Sequence, residues 1–282
     1  MLSKADTKYG EMYYYKNDKF IGASLELYGE YTGLEIDYIK PYIHEDDIIL
    51  DVGANIGTHT VAYSSLVPDG QVIAFEPNQK NYNLLVHNIT HNNLTNVHAF
   101  LGGLSNKVGL STVTDFDPTE PGNYGTMTVG SGTQVCFLNK LDNVCNFNRP
   151  VRFIKIDAEG VEPKILVGGR DFIAQHKPVI QYECMTKEVA QPIERIFKNY
   201  YPGYNLYWMP IFNYNDTNHN KNSKNIFLNS GVMNVLAVHT RDKQPDNLQR
   251  YDSWEDNIEV RSEGMRLSQN KLIMKKTYNK FK

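Results

Sequence analysis

The stretch IILDVGANIG, residues 48 to 57, decides how the chain folds. A β-branched apolar run meets an acid, Asp51. Glycines follow at 53 and 57, and THTVAYSSL then suits a helix. A strand, a glycine-bearing turn and a helix in that order make the first unit of an open α/β sheet, whose ligands bind outside the carboxyl ends of the strands. Gly53 and Gly57 permit close backbone approach and unusual φ, while Asp51 offers acceptors to a polar or cationic ligand. The dinucleotide fingerprint G-x-G-x-x-G is absent, which counts against a nicotinamide or flavin enzyme.

Working outward, QVIAFEPN reads as a second strand ending on Glu76, 25 positions after Asp51. An acid there can accept hydrogen bonds from both hydroxyls of a ribose. VHAFLGGLS supplies a third strand and its loop, with Leu104 and Ser105 at its end. Residues 106–133 then run without periodicity, and a polar segment of that length inside a compact domain is expected to line a site. In VRFIKIDAEGVEPKILVGG a strand closes on Asp157, and a helix enters with Pro163 in its first turn. Lys155 lies two places before Asp157 and so shares its strand face. HKPVIQYEC closes a fifth strand on Glu183. Carboxylates gathered at neighbouring strand ends repel, which raises the pKa of at least one and makes it a better base.

These stretches resemble the S-adenosylmethionine (SAM)-dependent methyltransferases, and in particular the FkbM-type branch. DVGANIG is similar to its motif I, with Asn55 where many members carry glycine; FEPN resembles its ribose motif, and KIDAEGVE its K-I-D-x-E-G-x-E wording. The likeness covers roughly residues 20 to 185. It implies a Rossmann-like class I methyltransferase sheet, mostly parallel with an antiparallel last strand, VMNVLAVH, and helices on both faces. It implies SAM as cofactor, S-adenosylhomocysteine (SAH) as product, and a cofactor set of Asp51, Gly53, Asn55, Gly57, Thr58, Glu76, Pro77, Asn78, Ser105, Asn123 and Asp157. Asn123 to Gly125 resemble the family's Asn-x-Gly element, which puts Asn123 near the transferring methyl. Thr58 and His59 open the first helix, where an N-terminus suits the methionine carboxylate. For transfer to a hydroxyl, Asp157 is the first choice at the transfer site. Glu159 is the leading base, Glu183 the second, and Lys155 a partner for Asp157.

Around this domain, residues 46–240, the chain divides into an N-terminal extension, 1–45, and a polar, partly basic tail, 241–282. MYYYKNDKFI predicts a hairpin turning at Asn17 and Asp18, packed on the core or capping the pocket. GLEIDYIKPYI predicts a helix capped by Thr32 that buries Leu34, Tyr38 and Ile39. FNYNDTNHNKNSKN, with six asparagines, reads as a solvated loop or flap. Tyr204, Tyr207 and Trp208 suit either the core or stacking on a sugar ring.

The net charge of −3 gives no global attraction to a polyanion, and residues 261–282, with seven Lys or Arg against one acid, are the sole feature favouring nucleic acid. The resemblance implies a sugar, glycan or similar small polar molecule as acceptor; RNA methylation and a non-catalytic SAM-fold module are the alternatives. The acids Asp157, Glu159 and Glu183 would suit Mg²⁺, but their spacing does not require a metal and none is expected. Cys136, Cys145 and Cys184 match no zinc spacing and read as reduced thiols of a cytoplasmic chain. There is no apolar run long enough to span a membrane.

Overall fold

The computed structural model describes residues 1–254 apart from 32, 145, 146, 148 and 229. Thr32, Cys145 and the basic run 261–282 lie outside the described residues. In chain order, β1 (Leu2–Thr7) and β2 (Gly10–Tyr15) precede α1 (Ile21–Tyr28) and α2 (Gly33–Ile39). Next come β3 (Ile48–Val52), α3 (Thr58–Leu66), β4 (Gln71–Glu76), α4 (Gln79–His91), β5 (Val97–Leu101), β6 (Gly103–Leu104), β7 (Gly109–Val113) and β8 (Gln134–Asn139). The remainder is β9 (Val151–Ile156), α5 (Glu162–Gly168), α6 (Arg170–His176), β10 (Val179–Glu183), α7 (Lys187–Tyr200), β11 (Tyr204–Phe212), β12 (Gly231–His239) and β13 (Gln249–Arg250).

Eight strands form the central sheet in the order β13-β11-β12-β10-β9-β3-β4-β5. Strands β10, β9, β3, β4 and β5 run parallel, and β12 inserts antiparallel between β10 and β11, as expected. From β3 the chain steps outward through β4 to β5, then returns to place β9 on the other flank of β3. That reversal opens a crevice at the carboxyl ends of β3 and β9. Both faces of the sheet are covered, so every residue of β3 is buried, the continuous apolar reading of a parallel strand. Ile48, Leu50 and Val52 join one core with Ile154 and Ile180, while Ile49 joins the opposite core with Phe153 and Val179.

Several local expectations are corrected. The hairpin lies earlier than predicted: β1 pairs β2 in residues 2–15, and Asn17–Asp18 instead lead into α1. The carboxylate of Asp18 accepts from the Phe20 N–H, and the Asp18 carbonyl from the Ala23 N–H, so the polar pair organises a helix entry. Helix α2 buries Glu35, Ile36 and Ile39, leaving Leu34 and Tyr38 half-buried; the apolar count had set aside a charged residue on the inner face. Residues 106–133 contain β7, which pairs with β8 in a separate three-stranded sheet, β6-β8-β7.

The asparagine-rich loop is held rather than free. The Asn222 amide donates to the Leu27 carbonyl, Asn215 donates to Glu30, and Tyr28 OH donates to the Lys224 carbonyl, which ties the loop to α1 and its end. Beyond β12, β13 pairs with β11, and Tyr251 and Trp254 are buried against Trp208. The first part of the tail therefore belongs to the core. Tyr251→Ala should lower stability by on the order of 3 kcal/mol, the scale of emptying an aromatic site. The emission of Trp208 should shift to the red; an unchanged denaturation midpoint would remove Tyr251 from the core's support.

Candidate active site

Beneath the crevice lies a buried polar row. Asp51 on β3, Lys155 on β9 and Gln181 on β10 are cross-strand neighbours at one level of the sheet. The ammonium of Lys155 sits 3.6 Å from Asp51, 3.3 Å from Asp157 and 3.3 Å from the Gly53 carbonyl. Burial pulls its pKa down, but Asp157, Asp51 and Glu35 outweigh that and raise it. Thr60 on α3 donates to the other oxygen of Asp51 at 2.6 Å. Glu35 reaches over the row from α2. It accepts from Gln181 at 2.9 Å and from Asn234 at 3.1 Å, and lies 2.7 Å from the His59 ring. Burial pushes Glu35 up, but His59 and Lys155 bring it below the usual carboxylate range.

Above this row, Gly53 has φ +82°, and a Cβ there would stand 1.8 Å from the Asp157 carbonyl. Glycine at 53 is what lets the turn after β3 touch the loop after β9. Asn55 has φ +51°, a left-handed conformation that asparagine tolerates. Its main-chain N–H donates to Glu76 at 2.8 Å, and its amide donates to the Tyr124 carbonyl at 3.3 Å. Glu76, at the end of β4, accepts a second N–H from Asn78 at 2.8 Å. Burial pushes its carboxyl up to about 7 against those two hydrogen bonds. Each oxygen thus holds one backbone donor and keeps a lone pair for a ligand.

Across the cavity stand Asp157, Glu159 and Glu183, each contributing an oxygen within 4.8 Å of the others. Glu159 has φ +53°, and burial followed by Asp157 pushes its carboxyl up to about 7. Glu183 is raised by burial, then by Asp157 and Glu159. The last acid of the motif, Glu162, is 1% exposed and accepts the Ala158 and Gly160 N–H groups at 2.9 and 3.2 Å. It shapes the loop that presents the other two. The trio could give one oxygen each to a divalent cation.

The cavity brings together Gly53, Asn55, Thr58, Glu76, Pro77, Asn123, Lys155, Asp157, Glu159 and Glu183 of the predicted set. Four predicted residues do not line it. Asp51 is wholly buried under Lys155 and Thr60. Gly57 packs on α4, where a Cβ would meet Leu85 at 2.7 Å. Asn78 caps α4, accepting from the N–H groups of Lys80 and Asn81. Ser105 turns inward, and Leu104 lines the wall in its place.

Asn123 is held through its own turn, its side chain accepting from the Gly125 N–H. The neighbouring Tyr124 carbonyl is gripped by Asn55 and Asn81, on the Glu76 side of the cavity. Tyr204, Tyr207 and Trp208 are core residues or pack against it, and none lines the cavity. Phe20, Tyr31, Glu35, Asn81 and Asn234 line it without having been read as site residues. Glu35 had a signal: it stands four places before Ile39, on a helix's buried face.

A sheet of this topology, with an acid closing its second strand and a glycine turn after its first, defines the Rossmann-like methyltransferases as a class. The profile of the methyltransferase FkbM domain matches residues 51–207, and the chain belongs to that family. Methyltransferase sdnD of Sordaria araneosa is 38% identical over 76 residues, which are 27% of this chain and 29% of that protein. Methyltransferase 1 of Beauveria bassiana is 26% identical over 148 residues, covering 44% of this chain and 59% of the relative. The chain thus spans less than two thirds of the length of each of these relatives. The crystal structure of an FkbM methyltransferase from Methylobacillus flagellatus has a TM-score of 0.46 at 17% identity, over 69% of this chain and 44% of that one.

Carboxyls near 7 at the buried Glu76 and the half-buried Glu159, against an ordinary 4.5, mean that the folded chain holds more protons than the unfolded chain between those values. Stability of the ligand-free protein should therefore fall as pH rises from about 4.5 through about 7. Denaturant midpoints measured across that range check it. A pH slope unchanged in the Glu76→Gln, Glu159→Gln double variant would show that these carboxyls ionise as easily folded as unfolded.

Proposed function

We propose that the cavity binds SAM and that the chain catalyses methyl transfer to a hydroxyl of a sugar, glycan or similar small polar acceptor. The observation that carries this reading is the pair of opposed acids in one cavity. Glu76 has a free lone pair on each oxygen, and facing it is a carboxyl trio whose Glu159 is poised near 7. Residues 53–55 and Glu76 fit a ribose on the β4 side, and the β9 and β10 ends fit an acceptor. Bound SAM supplies a methyl group already activated by its sulfonium leaving group.

The chain's own task is then to orient the acceptor and take its proton. A hydroxyl is weakly acidic, so it gains from a base whose pKa lies close to the working pH. Glu159 meets that condition, and Glu183 beside it can hold the proton or stay neutral as a hydrogen-bond donor. Lys155, pinned between Asp51 and Asp157, holds the neighbouring carboxylate in place. Among the described lining residues Lys155 already faces Asp157, so an anionic acceptor gains little counter-charge from it. Phe20 and Tyr31 offer apolar faces to the C–H side of a ring.

Glu159→Gln should keep SAM affinity and lower kcat by roughly 10²-fold or more. In the parent, kcat should rise as pH increases through about 7, where Glu159 loses its proton; the variant should lose that limb. Steady-state kinetics with labelled SAM and a panel of neutral glycans and polyols tests this, and unchanged turnover would take the role from Glu159. Glu76→Ala should weaken SAM binding by about 1.5–3 kcal/mol, the range for hydrogen bonds to a charged group. Equal calorimetric affinity in variant and parent would refute the ribose contact.

A further inference from the structure

We propose that Asn81 is a further cofactor-binding residue, its side-chain oxygen accepting a hydrogen bond from a hydroxyl of the ribose. This rests on the SAM reading of the same cavity. Asn81 stands in the first turn of α4, is 0% exposed and lines the cavity. Its amide nitrogen donates to the Tyr124 carbonyl at 3.1 Å, and its main-chain N–H donates to the side chain of Asn78. Its side-chain oxygen receives no hydrogen bond from any described protein group. Flipping the amide would bring that oxygen against the Tyr124 carbonyl, so the orientation is fixed by chemistry. A buried amide oxygen left unpaired carries its full desolvation penalty, which a ligand donor removes.

The donor is identified by the surroundings. Asn81 is tied to Glu76 from two directions. On one side Asn78 gives its N–H to Glu76 and receives the Asn81 N–H on its side chain. On the other, Asn55 gives its N–H to Glu76 and its amide to the Tyr124 carbonyl that Asn81 also holds. A diol lying on the Glu76 carboxylate therefore presents its second edge to the ring formed by Asn55, Tyr124 and Asn81. Of the donors on SAM, the ammonium belongs with the methionine end and the adenine amine with the far wall, which leaves the ribose hydroxyls. The same grip on Tyr124 couples ribose binding to the loop that carries Asn123, Thr126 and Met127 along the cavity wall.

Calorimetry with SAH, 2′-deoxy-SAH and 3′-deoxy-SAH on the parent and on Asn81→Ala tests the proposal. The variant should bind SAH about 3- to 10-fold more weakly, the span of one neutral hydrogen bond. Against one of the two deoxy analogues that deficit should vanish, because the partner hydroxyl is already gone. An equal deficit for all three ligands, the mark of a structural or water-mediated role, overturns it, and so does no deficit. A crystal structure of the parent with SAH decides the matter should the variant fail to fold. Asn81 Oδ1 within about 3.2 Å of a ribose hydroxyl supports the contact, and a larger separation overturns it. Absence of SAH binding by the parent would instead sink the SAM reading itself.

Discussion

One buried cation joins the two halves of this site. Lys155 projects from β9 into a space shared by Asp51, Asp157 and Glu35, and touches the Gly53 carbonyl. Removing a single partner from such a cluster leaves uncompensated charge in a dry place, which is strongly destabilising. The cluster therefore holds the end of β3 and the end of β9 in fixed relation. The glycine turn and the acidic loop are the two pieces so fixed, and they meet at the 1.8 Å approach that excludes any Cβ at residue 53. Asp51 acts in this picture through Lys155, from beneath the floor of the cavity.

Walls are added to that floor by parts of the chain far apart in sequence. Phe20, Tyr31 and Glu35 come from the N-terminal extension, Asn213 from the loop after β11, and Val232 and Asn234 from β12. Glu35 links these groups directly, because it accepts from Gln181 and Asn234 while facing His59. The asparagine-rich loop, fastened to α1, keeps the extension and the β11–β12 connection together. This wall of the cavity is therefore built from segments outside the two strand-end motifs.

What could be read from the sequence follows the range of each interaction. The strand-end acids Glu76, Asp157 and Glu183 and the turn at Gly53 were legible because strand, acid and glycine lie within a few residues of one another. The antiparallel β12 came from resemblance joined to an apolar run that only a central strand would bury. Illegible were the contacts that depend on which face a residue turns inward. Asp51 looks like a ligand-facing acid until register puts it beside Lys155 under Thr60. Glu35 and Asn81 look like solvated helix residues until packing closes over them. Asn78 and Glu162 sit inside recognised motifs, yet their side chains satisfy backbone N–H groups.

The claim on which everything else turns is that these two strand ends together form a nucleoside-sulfonium site. The most direct measurement is a calorimetric titration of the intact protein with SAM, run beside NAD⁺ as a control of similar nucleoside content. Saturable binding of SAM with one equivalent per chain, and no heat from NAD⁺, is expected. A flat SAM titration, or binding of NAD⁺ in its place, would contradict it.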